Sequence, residues 1–424
     1  MGPAVCSLVF AFFLALTAHA APLTPQSAAV PPPSIPVDLW LNGPDRQDFP
    51  WKVQIARQSL TVQQRHLVQL LVTIRGRDLL KGVNTRDLHF VVKVADHHGT
   101  WLGGQSYSHF IPAHDFSPKD LLHPATNLYL RPGNYTVAVL AYDVLHNSGN
   151  VWHSKLIVPT IGDPLPELDS DLPQVEFLPA VDVAPELKTS VPWAMNRPGA
   201  LAAAILDPLA LGHGTVRLPV PNHQALRIDV VANLSAGMKP SLPYKFGEGL
   251  VLQVGNLLSQ LAPQNGCVRF TALDILRQDL IIDRMDRREI DWDAVSKKIA
   301  SAQLNVINVK ALKEKETSQW FKRSLERITD DPDACHLPDE IPRHVLIVVS
   351  MPFAFPIRAP IRPVKPEKLP ARSYYLEILF NDEGWDEVGT VLKPLQPMRL
   401  SFDNSLELRQ KLALLVKDLT QASQ

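Results

Sequence analysis

The sequence predicts two tandem units, an N-terminal antiparallel β-sandwich and a C-terminal α/β unit doubly wound around a mainly parallel sheet. Three observations lead there. From Asp38 to about Ile161, short runs rich in Val, Leu, Ile and aromatics are separated by turn clusters, with no long amphipathic helix. From about Trp193 onward, strands that are apolar throughout alternate with segments of helical period, the pattern of a parallel sheet covered on both faces. Proline stands at 38 of 424 positions, well above the roughly 5% average, which favours β-rich units with stiff connections over a helical bundle.

Taken in order, the chain opens with Cys6 to Leu16, CSLVFAFFLAL, short of the about 20 apolar residues a spanning helix needs. Ala18 and Ala20 supply small residues at the minus-three and minus-one positions, before Ala21-Pro22. Residues 1–20 therefore read as a cleaved secretory signal, although no Lys or Arg precedes Arg46, and the mature chain is expected to be secreted or periplasmic. Residues 21–37, uncharged and rich in proline, read as an extended linker. Residues 38–161 carry the sandwich. Trp51 to Val62, His66 to Ile74, Leu88 to Ala95 and Asn127 to Tyr142 read as strands. In Leu128 to Asp143, the turn Pro132-Gly133-Asn134 leads into a strict alternation from Tyr135, and the short spacing between strands suggests an immunoglobulin-like arrangement. Residues 162–192 are acidic and Pro-rich and read as a second linker.

Residues 193–424 form the α/β unit. Leu226 to Ala232 is a strand broken only by Asp229. Leu250, Val251, Val254, Leu257, Leu258 and Leu261 share one helical face of Glu248 to Leu261. Val268 to Leu276 is a strand, Asp291 caps a helix, Asn305 to Lys310 is a strand, and Ser318 caps a helix through Ile328. His344 to Ser350, HVLIVVS, is the most apolar strand, and Tyr374 to Phe380 is another. Asn404 with Glu407 three residues on has the form of a capping box opening the last helix.

Composition bounds function. Lys and Arg number 42 against 43 Asp and Glu, a formal net charge of -1, so no global field draws in nucleic acid or anionic membrane. Hydrophobic residues at 46% suffice for a sizeable core, and no second apolar run is long enough to span a bilayer in the mature chain. Of three cysteines, Cys6 leaves with the signal. Cys267 and Cys335 are then expected to pair in an oxidising compartment, closing a loop of about 68 residues worth roughly 4 kcal/mol.

The order of elements from about residue 220, with the strand-end carboxylate Asp229, resembles the von Willebrand factor A family, and the LRPGNYTVAVLAYD phrase resembles the β-domain that precedes such modules in secreted bacterial proteins. The resemblance implies a ligand mouth after Leu226–Ala232 and after His344–Ser350. Many members hold a divalent cation there with an Asp-x-Ser-x-Ser loop and a later Asp. Here Asp229 stands for the first Asp, Val231 and Asn233 replace the serines, and Ser350-Met351-Pro352 replaces the later motif. These residues lack the oxygen donors a hard cation requires, so no metal and no cofactor are expected. Asn233 and Ser235 remain as polar groups at the mouth, with Thr271 and Asp274 in reach.

Elsewhere His97-His98, His109 and His114 have loose spacing for zinc, and Gly-x-Ser-x-Gly, His-Glu-x-x-His and phosphate-loop motifs are absent. Residues 353–373 form a stiff basic excursion carrying Arg358 and Arg362, suited to an acidic partner, and residues 330–340 form an acidic loop. The leading expectation is an exported, non-enzymatic interaction or adhesion-type module. It would contact another protein or an envelope polymer through Asp229, Asn233, Ser235, Arg358 and Arg362. Two rivals stand beside it. A hydrolase of envelope polymers would show Asp229 converging with Asp274 or Asp283. A carbohydrate-binding module would expose Trp101, Tyr107 and Trp152 as one strip.

Overall fold

The computed structural model describes residues 35–104, 106–110, 118–119, 121–162, 165, 172–178, 214, 216–235, 244–301, 317–331, 341–353, 363–365, 370–379 and 386–421. The N-terminal half opens with the short helix α1 (Val37–Leu41) and strands β1 (Arg46–Gln47), β2 (Lys52–Leu60) and β3 (His66–Arg75). Helix α2 (Gly76–Leu79) precedes β4 (Leu88–Ala95), β5 (Ser106–Phe110), β6 (Leu121–Leu122), β7 (Ala125–Leu130), β8 (Gly133–Asp143), β9 (Ser148–Val158) and β10 (Val175–Phe177). Two antiparallel sheets result, ordered β1-β9-β8-β4-β5 and β10-β7-β3-β2, with β6 beside β3. Period-2 alternation sends Val68, Leu70 and Val72 of β3 into one core with Val92 and Val94 of β4 and Val137 and Val139 of β8. The outer face of the first sheet is also apolar. There Val91, Ala138, Leu140, Tyr142 and Val151 are covered by Leu41 and Trp40 of α1.

The C-terminal half comprises β11 (Leu218–Val220), β12 (Leu226–Asn233), α3 (Tyr244–Ser259), β13 (Leu261–Pro263), β14 (Gly266–Asp274), β15 (Asp279–Asp286), α4 (Trp292–Ser301) and α5 (Thr317–Thr329). It continues with β16 (Arg343–Ser350), β17 (Arg372–Ile378), α6 (Glu387–Leu392), β18 (Met398–Phe402) and α7 (Ser405–Gln421). Six strands join in the order β15-β14-β12-β16-β17-β18. Strand β12 runs parallel to both its neighbours, whereas β15 returns antiparallel to β14, so the sheet is mixed. On one face Ile228, Val230, Phe270 and Ile347 pack with Leu250, Val254 and Leu258 of α3 and Leu408, Leu412 and Leu415 of α7. On the other, Val231, Leu346, Val348 and Tyr375 pack with Phe321, Leu325 and Ile328 of α5 and Val388 and Val391 of α6.

This corrects the expected fold class. The described residues are mostly β, with 42% strand against 26% helix in antiparallel and mixed sheets, and among them no doubly wound parallel α/β domain of von Willebrand factor A type is evident. The physical reason lies at residues 274–286. The sequence reads the apolar run Val268 to Leu276 as one strand leading toward a helix. Instead the Asp274 carboxylate accepts the backbone N–H groups of Leu276 and Arg277 at 2.9 and 3.1 Å, and Gln278 adopts φ 58. That turn sends the chain straight back as β15, and the strand–helix alternation breaks. The predicted strand Asn305–Lys310 lies outside the described residues.

Among the described residues the halves meet where Gly214 donates its N–H to Glu176 at 3.0 Å, where Leu165 and Leu172 pack into the core of the six-stranded sheet, and at one hairpin tip. Residues Thr61 to Arg65, the tip of the β2–β3 hairpin, are all buried, and Val62 packs in the core of the six-stranded sheet and its helices. Burial of one valine contributes roughly 1.5–3 kcal/mol. Around it Gln63 Nε2 donates to Gln253 Oε1 of α3 at 3.2 Å, and Gln64 Nε2 donates to the Ser405 carbonyl at 3.3 Å.

Candidate functional site

The carboxyl ends of β12, β14 and β16 lie side by side, because their parallel register places Asn233 beside Leu273 and Ala232 beside Val349. Three polar residues end these strands, Asn233, Asp274 and Ser350, and Ser235 follows two residues past β12. Asn233 Nδ2 donates to Ser350 Oγ at 2.9 Å, and Asn233 Oδ1 accepts the Ser235 N–H at 3.1 Å. Ser235 Oγ donates to Asp274 Oδ1 at 2.8 Å and accepts the Leu276 N–H at 3.1 Å. Ser350 Oγ donates to the Met351 carbonyl at 2.6 Å. None of the four side chains bearing these groups exceeds 1% exposure. The set ties three strand ends and the β14–β15 turn together. Asp274 Oδ1, with three donors aimed at it, is committed to the turn.

Further along the same edge, Glu377 at the end of β17 and Asp386 before α6 converge on Arg399 of β18. Arg399 Nε donates to Glu377 Oε2 at 2.9 Å, its Nη2 reaches Glu377 Oε1, and the same nitrogen reaches Asp386 Oδ2 at 2.8 Å. Ser401 Oγ donates to Glu377 and Tyr375 OH donates to Asp386 at 2.7 and 2.9 Å. Burial raises the Asp386 carboxyl above its ordinary range, against the Gly389 N–H, Tyr375 and Arg399, which favour the charge. Burial also pushes the Tyr375 phenol well up, with the nearby Asp386 charge adding to it. The sequence analysis missed this group. Its one signal is Glu377 closing the otherwise apolar run Tyr374-Tyr375-Leu376.

Asp229 belongs to neither set. It sits mid-strand in β12, forms ion pairs with Arg227 Nε at 2.9 Å and with Arg269 at 2.8 Å, and lies 2.9 Å from His344 Nε2. Burial alone would raise its carboxyl, but the His344 hydrogen bond and the two guanidiniums hold it below the usual range. Arg227 also donates to the carbonyls of Ile328 and Asp331 at 2.6 Å each, which satisfies the C-terminal end of α5. The expected ligand residue thus fastens a helix to the sheet.

Asp229, Asp274 and Asp283 do not converge. Asp229 lies four β12 residues from the carboxyl end, roughly 13 Å, and Asp283 is exposed and pairs with Arg284 and Arg327 at 3.0 and 3.2 Å. Trp101 packs against the α1 side of its sheet and Trp152 against the inter-sheet core, so they form no common strip. Tyr107 lies in β5. His97 and His98 stack at 3.6 Å in the turn after β4. His109 lies in β5, and His114 falls outside the described residues, as do Arg358 and Arg362. Among the described residues, no three His, Cys, Asp or Glu side chains group so as to hold a metal ion. Cys267 is disulfide-bonded, while Cys335, its expected partner, lies outside the described residues. No described helix is long and apolar enough to cross a membrane.

No family model matches the chain, and no curated protein matches it. Among solved structures, a family 123 glycoside hydrolase from Clostridium perfringens, studied for glycolipid glycan hydrolysis, aligns over 88% of both chains at 6% identity and a TM-score of 0.25. At that score the likeness carries no argument about fold or activity.

Proposed function

We propose that this chain is an exported, non-enzymatic interaction module that meets a macromolecular partner at the carboxyl edge of its six-stranded sheet. The observation that carries the reading is the commitment of Asn233, Ser235, Asp274 and Ser350 to one another and to backbone groups. An acid, base or nucleophile must offer its atom to a substrate. Here those atoms brace strand ends, which makes the edge a rigid platform. The disulfide at Cys267 supports an oxidising compartment.

Photo-crosslinking in the native host tests this. A photoreactive residue replaces Arg277 or Asp403, which follow the carboxyl ends of β14 and β18, or Gln224 before the amino end of β12. Crosslinks to a defined partner are expected from positions 277 and 403 and not from 224. Crosslinks only from 224 would overturn the reading. So would turnover of envelope glycans or peptides by the purified chain that is abolished by Asp274→Asn or Glu377→Gln.

A further inference from the structure

Hairpin tips ordinarily face water, yet residues Thr61 to His66 are all buried between the two halves. Apart from Val62, the seam is polar. Gln63 meets Gln253 of α3, Gln64 meets the Ser405 carbonyl, and Arg409 Nη1 of α7 donates to Gln64 Oε1 at 3.4 Å. Gln64 holds this position at φ 62, a left-handed conformation that non-glycine residues adopt rarely. Three buried atoms along the seam lack a hydrogen-bond partner: Gln63 Oε1, His66 Nε2 and Ser405 Oγ. An unsatisfied buried group costs free energy, so docking of this tip is far less secure than either core. Polar seams between halves of one chain are those across which the halves move.

His66 makes the seam responsive. Its strand neighbours are Leu60 of β2 and Leu130 of β7, both apolar, and the Pro159 carbonyl lies beyond β9. The charged group facing it is Arg409 of α7. Burial favours the neutral ring, the Pro159 carbonyl favours the proton, and Arg409 opposes the proton. A ring that binds its proton more weakly docked than free supports docking above its free value of 6.5. That support is lost as pH falls below it.

We propose that the β2–β3 tip is an acid-released latch: neutral His66 lets it dock between α3 and α7, and protonation beside Arg409 drives it out, freeing the two halves to move. This inference stands apart from the binding reading of the carboxyl edge. Hydrogen–deuterium exchange of the full chain, corrected for intrinsic rates, tests it between about pH 7.5 and about pH 5. Peptides covering 61–66 and 405–409 should lose about tenfold in protection on acidification, while β4, β8, β12 and β16 keep theirs. His66→Gln, neutral throughout, should keep the tip protected at the lower pH. Gln64→Gly, which suits φ 62, should raise tip exchange at both. Unchanged tip protection in the wild type overturns the proposal. So does loss shared by the core strands, or an equal acid response in His66→Gln. Should that variant fail to fold, the wild type and Gln64→Gly decide.

Discussion

Two residues of β12, Asp229 and Asn233, point to the same face of one sheet and do different work. Around Asp229 the sheet is ionic: one carboxylate, two guanidiniums and an imidazole are buried together beneath α5. Around Asn233 the bonds run mostly through amide, hydroxyl and backbone groups, with Asp274 as the sole acid of the set. Four residues along a strand separate a site where losing a partner strands charge from one where it strands only a neutral hydrogen bond. Position along the strand thus separates anchoring from edge-building.

The largest expected effect tests the ionic end. Asp229→Asn leaves Arg227 buried without its paired carboxylate and leaves Arg269 only Asp331, at 2.8 Å; it should cost about 3–5 kcal/mol, read as a fall in the urea midpoint. Its pH signature separates it from other losses. The wild-type carboxyl is held below its free value of 3.8, so its stabilisation is present above that pH and lost as pH falls through the lower folded value. Stability of Asp229→Asn should be flatter than wild type in that acid range, whereas variants at the carboxyl edge should keep the acid-dependent fall.

At the neutral end, Asp274→Ala removes the acceptor of the Leu276 and Arg277 N–H groups and should cost about 1–3 kcal/mol. Ser350→Ala takes the acceptor from Asn233 Nδ2 and the donor from the Met351 carbonyl, and should cost about 1 kcal/mol. Losses as large as that of Asp229→Asn would erase the contrast. The smallest change is expected at Arg399, whose side chain is 52% exposed. Arg399→Lys, which keeps a cation beside the buried Glu377 and Asp386 but loses the two-pronged contact, should lose at most about 1 kcal/mol by urea unfolding.

Legibility followed the range of the interactions. The alternation in Leu128 to Asp143 and the continuous run HVLIVVS name their strands because burial of one or both faces writes a period into neighbouring residues. The last helix was equally plain: Asn404 Oδ1 accepts the N–H groups of Leu406 and Glu407, and Glu407 accepts the Asp403 N–H, as the capping box requires. Strand β15 was hidden because its turn uses neither Gly nor Pro, and Gln278 takes the left-handed position instead. Asp229 was misplaced because its partners Arg269 and His344 are remote in sequence and no local pattern announces them. The tip Gln63-Gln64-Arg65 reads only as the turn between two strand runs, and the fold shows α3 and α7 closing over it.

Helix α1 has a practical consequence for anyone handling this molecule. Its five residues are held over Leu140, Tyr142 and Val151 by Lys93 gripping Asp38 at 2.6 Å and by His153, whose ring nitrogens lie 2.7 Å from Asp45 Oδ1 and 2.9 Å from the Leu41 carbonyl oxygen. Trimming the polypeptide past residue 41, or fusing a bulky tag that tugs on this segment, would unroof an oily patch and invite self-association.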